Sequence, residues 1–226
     1  VSGRDKFGAD RFAYRGDNQY HPRRDNKKNA GVSLRVLFHK RSVVLLDSYS
    51  YYNFDIFETK QKRQIIFIRK TTLCFLLKDD EILLAAKKRS LSGFDIAIGK
   101  WNGVGGKVDE GETVKSAAMR ELNEEVGVVV TAGNLEEMGN IKFYFKNKPE
   151  WAQHMHVFVV KSWEGEPTES EEMRPQWHKH HEIPFDLMWA DDKHWLPLVL
   201  AGKKIEGEFH FNKDGSEFDK FEVREV

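Results

Sequence analysis

Three glutamates in the middle of the chain have a spacing that suits metal binding. Glu121 precedes Glu124 and Glu125 by three and four residues, so on a helix the three carboxylates share one face. A solvated acidic surface is the ordinary interpretation of such a face. However, these carboxylates fall near the C-terminal end of the predicted helix, where the helix dipole favours cations. A hard divalent cation would relieve the repulsion, because Mg²⁺ binds carboxylate and phosphate oxygens.

The element that must carry these glutamates is a helix over residues 113–126. Thr113 can cap its start, and Gly127 stands where a left-handed residue commonly ends a helix. Apolar residues recur at intervals of three or four along one face, namely Val114, Ala117, Ala118, Leu122 and Val126.

A glycine-rich segment, residues 101–107, comes shortly before this helix. Gly103, Gly105 and Gly106 allow close backbone approach and unusual dihedral angles. Such a segment is weak evidence by itself. Its position just before an acidic helix indicates a phosphate or metal site.

The loop and the helix together resemble the Nudix box. Five residues separate Gly106 from Glu112, and seven more separate Glu112 from residues 120–122 (Arg-Glu-Leu). A single residue then separates this triplet from the pair 124–125 (Glu-Glu), and another separates that pair from residues 127–128 (Gly-Val). Every defined position of the family pattern is matched. The resemblance implies an α/β fold, in the form of an α/β/α sandwich around a mixed β-sheet.

The resemblance also implies roles for individual residues. Glu121, Glu124 and Glu125 would bind Mg²⁺, with Mn²⁺ as a substitute, helped by a backbone carbonyl of Gly105 or Gly106. Arg120 would orient a carboxylate through a charge-assisted pair, and Glu112 would hold the loop.

Glu172 is a further candidate for the metal shell or for proton transfer. It lies in an acidic segment, residues 169–172, whose alternative interpretation is a charged surface loop. In this chemistry a bound divalent cation neutralises phosphate charge and activates a water for in-line attack. The remaining catalysis is positioning and electrostatic stabilisation.

The chain from about Thr72 onward is similar to the animal branch of the family that hydrolyses oxidised purine nucleoside triphosphates, such as 8-oxo-dGTP and 2-hydroxy-dATP. The matching stretches are residues 86–89, 101–106, 172–175, 183–185, 188–189, 191–192, 195 and 224–226. This similarity implies a base pocket made by Thr72, Lys87, Asn102, Trp189, Asp191 and Asp192, with Phe143 and Phe145 as its apolar wall.

The chemistry of these side chains suits a purine. Trp189 offers a flat face for stacking, and Asn102 can both donate and accept a hydrogen bond. Asp191 and Asp192 in a partly buried site cannot both ionise easily, so we expect one to hold a proton. Alternatively, the two aspartates cap a helix, and Trp101, Trp189 and Trp195 belong to the core.

The sequence departs from this branch in four places. The segment before Trp101 is about five residues longer, which leaves open whether Leu91 or Phe94 lines the pocket. Ala190 replaces a proline, and Gln153 stands in place of a pocket methionine. Residues 1–66 have no counterpart, and we expect them to form a basic, partly disordered extension before a Nudix domain over residues 67–226.

Charge and strand patterns support this division. The 226-residue chain has no net charge, yet residues 1–70 hold 16 Lys and Arg against 7 Asp and Glu. The basic arm is either a solvated tail or a nucleic-acid contact. Strands are predicted at residues 65–77 and 81–86 around an Asp79-Asp80 turn, at 140–145 and 154–160, and as a hairpin at 208–211 and 218–223.

These features predict a Mg²⁺-dependent hydrolase that converts oxidised purine nucleoside triphosphates to monophosphate and pyrophosphate. We expect a monomer with a small nucleotide substrate and no obligatory nucleic-acid partner. One cysteine excludes an internal disulfide, and no run of about 18 apolar residues suggests a membrane span. The cytoplasm is the expected compartment, with the mitochondrial or nuclear pool as alternatives. Competing functions are hydrolysis of ADP-ribose, dinucleoside polyphosphates or an RNA cap, a non-enzymatic binding module, and a diphosphate isomerase.

Overall fold

The computed structural model describes residues 19–20, 34–39, 42–45, 54–58, 65–89, 97–212 and 217–226, and side chains from residue 68 onward. The chain divides into two units, Val1–Tyr51 and Tyr52–Val226. The first unit contains an antiparallel sheet in the order β1-β2-β3, with β1 at Gln19–Tyr20, β2 at Leu34–His39 and β3 at Ser42–Leu45. The other residues of the predicted basic extension, 1–66, lie outside the described part, apart from those of β4, residues 54–58, and of the start of β5, residues 65–66.

The second unit is built on a nine-stranded mixed sheet. Its main path runs β10-β6-β5-β9-β8-β11-β12, while β4 pairs with β5 and β7 with β6. The pairs β5·β9 and β8·β11 are parallel, and the others are antiparallel. The strands are β4 Phe54–Glu58, β5 Ile65–Lys78, β6 Glu81–Lys87, β7 Trp101–Asn102, β8 Leu135–Phe145, β9 Gln153–Val160, β10 Met173–Lys179, β11 Ile205–Phe211 and β12 Phe218–Glu225.

The predicted hairpins are confirmed. The β5–β6 turn uses Asp79 at a positive φ of 55°, and β11 pairs with β12 around a turn whose residues 213–216 are outside the described part. Strand β4 pairs with the first residues of β5. The sheet therefore begins before residue 67, where the sequence predicted the domain to start.

Two helices cover opposite faces of this sheet. Helix α1, Val114–Val126, begins and ends as predicted: the Thr113 side chain accepts a hydrogen bond from the Ser116 N–H, and Gly127 is left-handed at φ 73°. Helix α2 spans Asp192–Leu200. Short 3-10 turns lie at Pro149–Trp151, His180–Glu182 and Phe185–Leu187.

Alternating side chains of β5 supply both cores, because successive residues of a strand point to opposite faces. Leu73 and Phe75 pack in the cluster that includes Trp195 of α2. Cys74 and Leu76 pack in the other cluster, against Leu122 and its neighbours on α1. The expected fold, helices on both faces of a mixed sheet, is confirmed. Among the described residues, no helix is long and apolar enough to cross a membrane.

Candidate active site

The glutamates of α1 lie at the edge of its buried face. Because Ala118, Leu122 and Val126 are held in the core, the neighbouring Glu121 and Glu125 are drawn partly inside. The Glu121 side chain is 14% exposed, whereas that of Glu124 is 59% exposed. The helix therefore presents one carboxylate to solvent and two to the protein.

Arg120 joins the helix to the loop before it. Its guanidinium donates to both carboxylate oxygens of Glu112, at 2.8 and 2.9 Å, and to the Lys107 carbonyl at 3.0 Å. It also donates to Glu121 at 2.8 Å and to Glu124 at 3.1 Å. Glu112 in turn accepts the Asp109 N–H at 3.0 Å. Arg120 therefore links Glu121 and Glu124 of the helix to Glu112 and to the backbone of the preceding loop.

The glycine-rich segment pairs with β5 and touches the helix glutamates. The Thr72 N–H donates to the Gly106 carbonyl at 2.8 Å, and the Gly105 N–H donates to Glu125 Oε2 at 3.0 Å. A Cβ on Gly105 would lie 2.1 Å from the Thr72 carbonyl oxygen, and one on Gly106 would lie 2.4 Å from Glu121 Oε1. Gly105 therefore requires glycine for its close approach to the β5 backbone, whereas a side chain at position 106 would displace the Glu121 carboxylate.

Burial changes the acidity of two glutamates. Desolvation raises the pKa of Glu121, although the hydrogen bond from Arg120 opposes the effect. Desolvation also raises the pKa of Glu125 to about 7, and the negative charges of Glu121 and Glu172 contribute to the increase. These carboxylates thus lie in surroundings that disfavour a net negative charge.

Glu172 is brought to the same place by the segment that precedes β10. The Lys88 N–H donates to the Glu172 carbonyl at 2.7 Å, and the Lys87 ammonium lies 3.5 Å from Glu172 Oε2. Lys88 also donates to the Ser170 carbonyl at 2.9 Å. Glu121, Glu124, Glu125 and Glu172 line one cavity of about 690 Å³. The predicted carboxylates are therefore gathered around a common space.

The chemistry of this cavity fits a hard divalent cation. Within the described ranges, no three His, Cys, Asp or Glu side chains already stand in a metal-binding arrangement. Six carboxylate residues nevertheless line the cavity, namely Asp109, Glu121, Glu124, Glu125, Glu171 and Glu172, and the pKa values of Glu121 and Glu125 are raised. Oxygen ligands of this kind are those that Mg²⁺ prefers.

A second cavity, of about 520 Å³, contains every predicted base-pocket residue. Its lining includes Thr72, Lys87, Asn102, Phe143, Phe145, Trp189, Asp191 and Asp192. Gln153 also lines it, whereas Leu91 and Phe94 lie outside the described residues. Trp189 is half-buried, while Trp101 and Trp195 are buried in the core, as the alternative interpretation predicted for these two.

Asp191 and Asp192 are buried. The alternative prediction, that they cap a helix with their side chains, is not confirmed. Asp191 stands at the N-cap of α2, yet its side chain makes no capping hydrogen bond. Its Oδ2 accepts the indole N–H of Trp195 at 3.0 Å, and Asp192 Oδ2 accepts the Trp189 N–H at 2.9 Å. Desolvation raises the pKa of Asp191 to about 6 and that of Asp192 well above its ordinary value, to which the charge of Asp191 adds.

Several residues of this cavity were missed by sequence reasoning. Arg69, Lys100, Trp151, Met155 and Phe211 all line it. Lys100 is the most informative, because its ammonium donates to the Met188 carbonyl at 3.0 Å and lies 5.2 Å from the Trp189 ring centre. In the sequence, its position directly before Trp101 and Asn102 could have indicated that Lys100 lines the pocket.

The two cavities are lined in part by the same residues. Lys87, Lys107, Gly105, Gly106 and Glu125 belong to both. A molecule that fills the first cavity can therefore extend along the glycine-rich segment to the carboxylates of α1.

This fold and site define the chain's class. The NUDIX domain model matches residues 68–199, more than half of the chain, and the chain belongs to that family. Hydrolases of this family generally need divalent cations.

Two relatives share most of their length with it. The chain is 49% identical over 140 residues to the oxidized purine nucleoside triphosphate hydrolase of Danio rerio, covering 62% of this chain and 85% of that one. It is 45% identical over 158 residues to the protein of the same name from Mus musculus, covering 70% and 96%. Among solved structures, the MutT protein from Bacillus halodurans is similar at a TM-score of 0.58 and 27% identity, covering 69% of this chain and 97% of that one.

Proposed function

We propose that this protein hydrolyses oxidised purine nucleoside triphosphates, such as 8-oxo-dGTP and 2-hydroxy-dATP, to monophosphate and pyrophosphate. Such an activity removes mutagenic nucleotides from the precursor pool. The observation that carries the proposal is that two cavities share part of their lining. One contains a buried aspartate pair beside a tryptophan, and the other is lined by five glutamates. The names of the relatives from Danio rerio and Mus musculus support the same substrate class.

The base is proposed to occupy the cavity of about 520 Å³. Its ring stacks on Trp189, while Asn102, Asp191 and Asp192 contact its polar edge. Phe143 and Phe145 form the apolar wall. Thr72 and Lys87 complete the pocket toward the glycine-rich segment. A protonated and an ionised carboxyl together supply one donor and one acceptor, which suits purines whose edges differ.

The phosphates are proposed to extend along Gly105 and Gly106. The absent side chains of these glycines leave the backbone open to close approach, and Lys87 adds a positive charge. Glu121, Glu124, Glu125 and Glu172, with a carbonyl of the glycine pair, would hold Mg²⁺, for which Mn²⁺ can substitute. When bound, the cation neutralises phosphate charge and activates a water for in-line attack. Arg120 keeps Glu121 and Glu124 oriented, and Glu172 is proposed to accept the proton of the water.

A panel of nucleotides with Mg²⁺ tests this function. The panel contains dGTP, 8-oxo-dGTP, 2-hydroxy-dATP, ADP-ribose and capped RNA, and kcat/KM is measured for each. We expect the two oxidised purines to be hydrolysed at least about tenfold more efficiently than dGTP, because a site that pairs with an extra polar group rejects the analogue that lacks it. Preferential turnover of ADP-ribose or of the cap would keep the hydrolytic chemistry but overturn the pocket assignment. A lack of turnover on every compound would favour a binding module.

We further propose that residues 67–226, preceded on the sheet by β4, form the catalytic domain, and that it acts as a monomer in the cytoplasm on a small nucleotide. Light scattering coupled to gel filtration tests the oligomeric state. A mass close to 26.4 kDa is expected, whereas a mass twice as large would contradict the monomer.

A further inference from the structure

The chain between β8 and β9 folds back over the base cavity. Its 3-10 turn, Pro149–Trp151, is followed by Ala152, whose N–H donates to the Pro149 carbonyl at 3.1 Å. The Ala152 carbonyl accepts the Arg69 N–H of β5 at 3.2 Å. The turn is therefore tied to the sheet, and it places Trp151 in the lining of the cavity.

Two neighbours hold the ring of Trp151. Its centroid lies 5.7 Å from that of Phe145, with an interplanar angle of 75°, which is an edge-to-face arrangement. Lys148 Nζ lies 3.4 Å from the centre of the Trp151 ring, within the range of a cation–π interaction. Trp151 and Phe145 line the cavity, and Lys148 lies outside its lining. The ammonium therefore holds the ring from its outer side.

Phe145 connects Trp151 to a larger aromatic surface. The Phe145 ring stacks on that of Phe211, with centroids 5.1 Å apart and an interplanar angle of 10°. The centroid of Phe143 lies 6.1 Å from that of Phe211. All four side chains line the cavity. They form one aromatic wall, carried by β8, β11 and the 3-10 turn.

Trp189 belongs to a different side of the cavity. Its ring centre lies 5.2 Å from the ammonium of Lys100, which comes just before β7, and β7 pairs with β6. Phe145, the neighbour of Trp151, is on β8. Strands β5 and β9 separate β6 from β8 in the sheet, which corresponds to roughly 14 Å at the usual strand spacing. A ligand in the cavity therefore lies between the two tryptophans.

We propose that Trp151 is a second base-binding residue, whose ring contacts the ring system of the bound purine from the side opposite Trp189. An aromatic contact of this kind acts on the π face that every base has, so it adds affinity without distinguishing one base edge from another. Selection among purines is left to the polar side chains of the pocket. This inference rests on the proposed function, because it names a further residue that binds the same substrate.

Steady-state kinetics with 8-oxo-dGTP and 2-hydroxy-dATP in the presence of Mg²⁺ test this role. The full chain is compared as wild type, Trp151→Ala, Trp151→Leu and Trp151→Phe. Leucine keeps apolar packing against Phe145 but removes the flat ring, whereas phenylalanine keeps a ring. The matched control is Trp163→Ala, because Trp163 is also half-buried but stacks on Trp177 at 5.9 Å beside the core under α1, outside the cavity. Thermal unfolding confirms that each variant is folded.

For Trp151→Ala we expect KM to rise about tenfold for both substrates while kcat stays within about twofold of wild type, since the contact binds substrate and transition state equally. Trp151→Leu should raise KM at least about threefold, and Trp151→Phe should stay within about twofold. The dissociation constant of 8-oxo-dGMP, measured by calorimetry without divalent cations, should rise by the same factors. Trp163→Ala should leave all of these quantities unchanged.

Unchanged KM and unchanged affinity for 8-oxo-dGMP in Trp151→Ala and Trp151→Leu would overturn the inference and leave the proposed function standing. A fall in kcat without a rise in KM would also overturn it, because that result indicates a structural effect of the turn on the catalytic site. Unequal effects on the two substrates would show that Trp151 contacts the base edge instead, and would overturn it as well. If the wild type hydrolysed neither oxidised purine, the proposed function itself would fail.

Discussion

Glu125 is the most enclosed of the three helix glutamates, and the only one of them that is buried. Its Oε2 accepts the Gly105 N–H, and its pKa is raised to about 7 by desolvation. A carboxylate kept in such a place at a cost in stability is typical of a functional site.

Replacement of this carboxylate should separate activity from stability. In Glu125→Gln the amide oxygen can still accept the Gly105 N–H, but the negative charge that would hold the cation is lost. We expect kcat with Mg²⁺ to fall about 100- to 1000-fold. Without divalent cations, the melting temperature at pH 8 should stay equal or rise, because a buried charge has been removed.

The matched control is Glu136→Gln, at an exposed glutamate paired with Lys161. It should leave both kcat and the melting temperature unchanged. A Glu125→Gln enzyme with kcat within about threefold of wild type would contradict the assignment of this residue.

Arg120 provides a second prediction at the scale of one residue. Its planar guanidinium contacts Glu112, Glu121 and Glu124 together with the Lys107 carbonyl. A lysine ammonium cannot reproduce this set of contacts. Arg120→Lys should therefore lower kcat by at least about tenfold, since a charge-assisted network of several partners is broken.

The matched control for Arg120→Lys is Arg224→Lys, at an exposed arginine paired with Glu206. It should change kcat by less than about twofold, as expected of a surface pair. Equal effects of the two replacements, measured by steady-state kinetics, would show that Arg120 does not orient the site.

At the scale of elements, the contact between the glycine-rich segment and β5 sets how closely the loop approaches α1. A Cβ on Gly105 would lie 2.1 Å from the Thr72 carbonyl oxygen. In Gly105→Ala the loop must move away from β5, and the Gly105 N–H must leave Glu125. We expect the free energy of unfolding to fall by at least about 2 kcal/mol, together with a loss of kcat.

Gly133→Ala is the control for this element, because its Cβ would come no closer than 3.8 Å to a neighbour. Its free energy of unfolding, measured by urea denaturation, should stay within about 0.5 kcal/mol of wild type. A Gly105→Ala protein as stable and active as this control would show that close approach is not required.

Local spacing explains which elements were predictable. Helix α1, its Thr113 cap and its Gly127 end follow from periodicity, so the positions of Glu121, Glu124 and Glu125 followed as well. The β5–β6 hairpin was equally visible from two apolar runs around Asp79-Asp80.

The rest depends on tertiary structure. Arg69, Lys100 and Trp151 come from a strand, a loop and a 3-10 turn that meet only when the sheet forms around one cavity. Asp191 looked equally suited to capping α2, and only the folded contact with Trp195 decides against that interpretation. Strand β4 was missed because its pairing with β5 adds an element ahead of the recognisable family pattern.

At the scale of the whole molecule, the buried aspartates make stability depend on pH. The pKa of Asp191 rises from 3.8 to about 6 on folding, and that of Asp192 also rises. Between these values the folded protein binds more protons than the unfolded chain. The stabilisation is therefore complete below about pH 4 and is lost as the pH rises through the folded pKa.

We expect the free energy of unfolding of the metal-free protein to fall between pH 5 and pH 8 by an amount on the order of 2 kcal/mol from this pair. Asp191→Asn should flatten the dependence, since its amide does not titrate and can still accept the Trp195 N–H. The control Asp186→Asn, at an exposed aspartate, should leave the pH dependence of the free energy of unfolding unchanged. Guanidinium denaturation at the two pH values measures the difference, and a flat wild-type profile would contradict the buried pair.

The most direct test of the central claim is the identity of the products formed from 8-oxo-dGTP with Mg²⁺, separated by ion-exchange chromatography. We expect equal amounts of 8-oxo-dGMP and pyrophosphate, with dGTP consumed much more slowly under the same conditions. Release of 8-oxo-dGDP and inorganic phosphate, or no cleavage of 8-oxo-dGTP while another nucleotide is hydrolysed, would contradict it.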